Sequence, residues 1–300
     1  MQDHFVDLPG RHPDGRSVLS LHYRDWQTPA GGGRGRPVVL LHGLASNARI
    51  WDLTAPRLAG RFRAVALDQR GHGLSDKPDG SYAFDEMTGD LSALIAALGL
   101  ALPLLVGHSW GGNVALQFAA DHPDDVRGLV LVDGGFLEIS AFEGMTWERT
   151  QQMMAPPPLD GMKLETFLKA ARLWPELAPL WSDEVQEIVL GNFEVTDDGS
   201  IRPQLTRERH LRILRALWEQ RPSQLWGRLR CPALLVPAAR DNPDPRNAMW
   251  MEGKRQAIQI ALQKARSVRV LWMEDTIHDV PLQRPRELAG AIAEFAVSLP

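Results

Sequence analysis

Short apolar runs alternate with helix-period segments along most of the chain. Val38-Val39-Leu40-Leu41, Ala64-Val65-Ala66-Leu67, Leu104-Leu105-Val106, Leu129-Val130-Leu131-Val132 and Leu234-Leu235-Val236 are apolar at every position, the pattern of strands buried on both faces. A sixth run, over 268–273, precedes the last helical pattern. Between the runs, Leu91, Leu94, Ile95 and Leu98 recur at helical spacing, as do Leu288, Ile292, Phe295 and Leu299. Strands alternating with helices predict a parallel sheet covered on both sides.

The alternation breaks twice. Residues 17–23 read as a strand after the turn-like Pro13-Asp14-Gly15 and before a glycine-rich loop over 31–35, which predicts an antiparallel edge hairpin. No GKS or GKT follows those glycines, so they are weak evidence for a phosphate loop. The stretch 136–224 has no strong β-run. It carries helical patterns over 164–173 and 211–218, with turn signals at Pro156-Pro157-Pro158 and Asp197-Asp198-Gly199. It also holds Trp147, Trp174, Trp181 and Trp218. Most of these rings are expected to pack the segment onto the core, and some to face a cleft. The domain reading is a core over 1–135 and 229–300, interrupted by a helical lid over 136–228.

Composition narrows the partners. With 44% hydrophobic and 23% charged residues among 300, the chain has ample apolar content for a large core. A formal charge of −4 leaves no footprint for nucleic acid or an anionic membrane. The densest basic group, Lys254, Arg255, Lys264, Arg266 and Arg269, lies around a predicted helix and reads as a solvated face. One cysteine, Cys231, allows no internal disulfide, and the nine histidines show no HExxH or paired-ligand spacing. The first residues carry no apolar leader-like core and no run approaches the length of a membrane span. The expectation is a cytoplasmic monomer or homodimer without metal or organic cofactor, acting on a small molecule.

The strongest chemical signal is Leu104-Leu105-Val106-Gly107-His108-Ser109-Trp110-Gly111-Gly112. Ser109 ends an apolar strand and opens a helical pattern (Val114, Phe118, Ala119), with Gly107 and Gly111 completing G-x-S-x-G. So sharp a turn strains the central residue and brings strand and helix close enough to require glycine. The hydroxyl would then stand above the sheet at a helix N-terminus, where backbone N–H groups favour negative charge. The bland alternative is a capping serine in an ordinary βα turn.

Three motifs in order, Leu40-Leu41-His42-Gly43-Leu44, then Asp68-Gln69-Arg70-Gly71-His72-Gly73-Leu74-Ser75-Asp76, then the Ser109 segment, resemble the α/β-hydrolase superfamily over nearly the whole chain outside 136–228. The resemblance implies a mostly parallel eight-stranded sheet flanked by helices, a serine nucleophile at Ser109, and an oxyanion hole from the backbone N–H groups of Leu44 and Trp110. Losing one such donor typically costs ~10²–10³ in rate.

A serine needs a general base. His4 and His12 read as N-terminal tail, His22 as edge strand, His122 as helix end and His210 as lid, while His42, His72 and His108 sit in the motifs. His278, just after the last strand, remains, and it stands where the superfamily places its base. Many relatives carry Gly before that histidine, where this chain has Ile277. The expected acid is Asp241, following the strand at 233–236. Asp133 is the alternative, ending the strand at 129–132, and Asp244 a weaker third. The expected substrate-lining residues are Trp110, Leu44, His42, Phe136, Trp147 and Trp181. Serine at the elbow argues against relatives that open epoxides or cleave carbon–halogen bonds through a carboxylate. The expected activity is a carboxylesterase or lactonase on a small to medium apolar substrate. The same constellation serves C–C, amide or thioester cleavage and perhydrolysis, and a ligand-binding protein on a hydrolase scaffold is the alternative of another class.

Overall fold

The computed structural model describes residues 1–11, 18–27, 35–240 and 244–299. Its centre is an eight-stranded sheet in the order β1 (Gln2–Pro9), β2 (Val18–Trp26), β4 (Phe62–Leu67), β3 (Arg36–Leu41), β5 (Leu104–His108), β6 (Gly128–Val132), β9 (Ala233–Val236), β10 (Val268–Val270). β1 pairs antiparallel with β2, and β2 with β4; the other neighbours are parallel. This is the mostly parallel, eight-stranded arrangement that the resemblance implies.

The all-apolar runs are explained by two cores, one on each face. Val39, Leu41, Leu105, Leu129, Leu131 and Leu235 enter one core, while Val38, Leu40, Leu104, Val106, Val130, Val132 and Val236 enter the other. Successive side chains point to opposite faces, so a strand covered twice must be apolar throughout. Helices α1 (Phe84–Leu98) and α2 (Trp110–Asp121) cover the first face. The second face takes α10 (Pro285–Ser298), through Leu288, Ile292 and Phe295.

Between β6 and β9 lie α3 (Trp147–Met154), α4 (Leu164–Ala171), α5 (Asp183–Leu190), the hairpin β7 (Phe193–Val195) and β8 (Ile201–Pro203), α6 (Arg207–Glu219) and α7 (Pro222–Leu225). The hairpin adds two short strands to a stretch that the sequence reads as helical, without a strong β-run. Three residues per strand are too few to register as a period-2 pattern, although Asp197-Asp198-Gly199 does mark the turn. After β9 come α8 (Pro245–Lys264), β10 and the single turn α9 (Val280–Gln283). His4 lies in β1 rather than a tail. That edge strand is mostly exposed, Phe5 included, so its sequence lacks an apolar run. His12, Pro13-Asp14-Gly15, Ser17, most of the glycine-rich loop and Asp241 fall outside the described residues. Among the described residues no helix is long and apolar enough to cross a membrane.

The strand-to-helix corner is tight. A Cβ on Gly107 would overlap the Gly111 carbonyl and the Gly112 amide. Gly107→Ala is therefore expected to cost roughly 3 kcal/mol of stability, against within ~0.5 kcal/mol for Gly227→Ala, an exposed position with no atom near its Cβ direction. Urea unfolding of both variants checks this; equal midpoints would contradict it.

Candidate active site

The C-terminal ends of the parallel strands deliver the chemistry, as open α/β sheets do at their ligand crevices. Ser109 follows β5 directly and caps α2 with φ 52° and ψ −124°, a backbone conformation that L-residues rarely adopt. The corner is held from below by the Ser109 N–H donating to the Val132 carbonyl (2.9 Å) and by the Gly112 N–H donating to the Ser109 carbonyl (2.9 Å). Gly134 packs so close to the Ser109 backbone that any Cβ there would overlap it.

Asp133 follows β6, also in a left-handed conformation (φ 44°). Its Oδ2 lies 2.7 Å from Nδ1 of His278, which sits in the loop after β10. Because the partner is a carboxylate, Nδ1 carries the proton and Nε2 is left with its lone pair, the tautomer a general base requires. In the structure His278 pairs with Asp133, the alternative of the sequence reading. Asp241, the expected acid, lies outside the described residues. The other Asp133 oxygen accepts the Ala238 N–H (2.9 Å) beyond β9.

Burial works against the Asp133 charge, but the hydrogen bond and charge of His278, with Lys254, overcome it and hold the carboxyl at about 2. Burial likewise disfavours the His278 imidazolium, yet the Asp133 bond and charge prevail and raise its pKa above the ordinary histidine value. Behind this loop His108 donates from Nε2 to the His278 carbonyl (2.9 Å), and the two rings lie 4.9 Å apart. Burial first, and then the neighbouring His278, push His108 down to about 4, so it stays a neutral prop.

Two more neutral imidazoles support the turn after β3. Buried His42 accepts the Gln69 N–H at Nε2 (3.0 Å) and donates from Nδ1 to the Gly43 carbonyl (2.8 Å). Buried His72 accepts the Ala45 N–H at Nε2 (3.3 Å), faces the Arg70 carbonyl with Nδ1, and stacks on Trp110 at 5.3 Å. Burial lowers both pKa values, which keeps those acceptor nitrogens free of protons. His72 therefore touches both chain segments expected to supply oxyanion donors, at Ala45 beside Leu44 and at the Trp110 ring.

Ser109, Trp110, Asp133 and His278 share a cavity of about 340 Å³. The segment between β6 and β9 contributes Leu137, Ile139, Met154 and Leu217 to its wall. The His278 side chain is 51% accessible and lines this cavity. α8 adds Asn247, Trp250, Met251 and Lys254, spaced i, i+3, i+4, i+7 on one face. That spacing is visible in the sequence as one helical face. Lys254 is corrected from a solvated face to the cavity wall, its side chain 12% exposed.

Of the expected lining residues, Trp110 lines this cavity, and Leu44 lines a neighbouring one of about 300 Å³ together with His72, Trp174 and Asp279. The other four line neither. His42 is spent on the turn, Phe136 is buried in the core, Trp147 packs on Trp218 under Arg215, and Trp181 packs under Arg172.

Three comparisons bear on this arrangement. Residues 38–291 match the model of the alpha/beta hydrolase family. The 2-(acetamidomethylene)succinate hydrolase of Mesorhizobium japonicum is 35% identical over 144 residues, 48% of either chain, and a fluoroacetate dehalogenase of Burkholderia sp. is 40% identical over 107 residues, 34% of this chain and 35% of that one. The chain thus spans half or less of the length of these curated relatives. Among solved structures, an E-2-(acetamidomethylene)succinate hydrolase superposes with a TM-score of 0.73 at 23% identity, over 98% of this chain and 100% of that one. A bromoperoxidase from Bacillus anthracis gives 0.72 at 18%, over 98% and 100%. At these identities the structural likeness establishes the shared fold.

If Asp133 is the acid, Asp133→Asn should lower kcat by ~10³–10⁴, with Asp241→Asn far milder. The raised His278 pKa should also place the acidic limb of kcat/KM above the value for a free imidazole, since activity is lost as the base protonates. A pH–rate profile of both variants checks this, and the reverse order of losses would contradict it.

Proposed function

The chain belongs to the alpha/beta hydrolase family, and we propose that within it this protein is a serine hydrolase cleaving carboxylic esters or lactones of small to medium apolar substrates. The observation that carries the reading is the strained Ser109 sharing one mostly apolar cavity with an imidazole whose Nδ1 is bound by a buried carboxylate.

In the proposed cycle His278 Nε2 takes the Ser109 proton as Oγ attacks the carbonyl carbon. The backbone N–H groups of Leu44 and Trp110 hold the resulting oxyanion. Collapse of the tetrahedral intermediate breaks the bond to the alcohol oxygen, which leaves with the proton from His278. Water then attacks the acyl-enzyme, giving its proton to His278, and release of the acid restores the Ser109 hydroxyl. Throughout, Asp133 holds the tautomer and stabilises the transient imidazolium. Leu137, Ile139, Trp250 and Met251 in the cavity wall support an apolar substrate. Serine at the elbow supports an acyl-enzyme over the alkyl-ester route of carboxylate nucleophiles.

A chain-length panel of aryl esters read by mass should show turnover that falls by at least ~10³ in kcat for Ser109→Ala. A fluorophosphonate should label the wild type at Ser109. A folded protein that neither turns over any ester nor labels is a binding scaffold, and the proposal fails.

A further inference from the structure

Lys254 has no part in the cycle just described, yet its ammonium touches the triad. From α8 it places Nζ 2.7 Å from Asp133 Oδ1 and donates to the Ala238 carbonyl at 2.7 Å. The Ala238 N–H donates to that same Oδ1. Lysine, carboxylate and strand end thus form a closed cluster, with His278 on the opposite carboxylate oxygen. A lysine this buried is costly unless its charge is matched, and the match here is the Asp133 carboxylate.

We propose that Lys254 is a positioning residue: it clamps the Asp133 carboxylate in line with His278 and, as a fixed cation behind that carboxylate, tempers the grip of the imidazole on its proton. The role of this clamp in catalysis rests on the serine-hydrolase reading. Asp133 alone stabilises an imidazolium strongly, and a base that is too readily protonated is idle at neutral pH. A cation on the far side of the carboxylate subtracts from that field without displacing the hydrogen bond that fixes the tautomer.

Among the described residues the groups facing His278 are few. Asp133 after β6 and the adjacent Asp279 favour the charged ring; Lys254 on α8 opposes it. His108 on β5 is neutral, and Arg240 and Glu176, 4.0 Å from each other, line the same cavity. Among the described residues, Lys254 is the cation in direct contact with Asp133.

The test follows the His278 imidazole by ¹⁵N NMR titration in the wild type, Lys254→Met, Lys254→Gln and Lys254→Arg. Both neutral variants should raise its pKa by roughly one unit, and the arginine variant should stay near the wild type. Lys254→Gln keeps a donor for the Ala238 carbonyl and serves if the methionine variant does not fold. A lysine that merely ties α8 to β9 would lower thermal stability and leave the His278 titration where it was. An unchanged or lowered pKa in a folded neutral variant overturns the proposal. The titration needs no substrate, so absence of ester turnover would sink the hydrolase reading while leaving this result decisive.

Discussion

A carboxylate sealed into the end of an apolar sheet is unstable unless donors surround it, and Asp133, 3% exposed, meets that condition with groups from three separate places. The Ala238 N–H comes from the chain after β9, the Lys254 ammonium from α8, and the His278 imidazole from the loop after β10. Each bond that offsets the burial also fixes one wall of the cavity. Stability and site geometry are therefore the same constraint, and breaking the cluster at one member leaves a buried charge short of its partners.

A second constraint works on the other side of Ser109. Its left-handed backbone is tolerated because the chain around it is over-determined: the Val132 carbonyl anchors its amide, and Gly134 lets the next strand end approach it. His42, His72 and His108 complete the support from within. Each is buried, held neutral by its surroundings, and committed to a backbone group near Ser109, the turn after β3 or His278. Neutral imidazoles suit this use because one ring offers both a donor and an acceptor.

The sheet was legible because strands covered on both faces leave uninterrupted apolar runs, and Ser109 because its corner demands glycines at set positions. His278 emerged once the other histidines had been assigned. The acid was not legible, because Asp133 and Asp241 each follow a strand and each satisfy the chain order Ser, Asp, His; the carboxylate that the structure brings to the His278 ring is that of Asp133. Lys254 was hidden among neighbouring basic residues, although Asn247, Trp250, Met251 and Lys254 share a helical face. Aromatic content alone misled the choice of cavity residues, since Trp147 and Trp181 are occupied under arginines. β1 and the β7–β8 hairpin escaped notice for want of an apolar period, the one being exposed and the other too short.

The most direct measurement is a crystal structure of the protein inactivated by a phosphonate ester, which freezes a mimic of the tetrahedral intermediate. Phosphorus is expected on Ser109 Oγ, with the phosphoryl oxygen within hydrogen-bond reach of the Leu44 and Trp110 amides and His278 still bound through Nδ1 to Asp133. An adduct on another residue, or a phosphoryl oxygen turned away from those amides with His278 parted from Asp133, would contradict it.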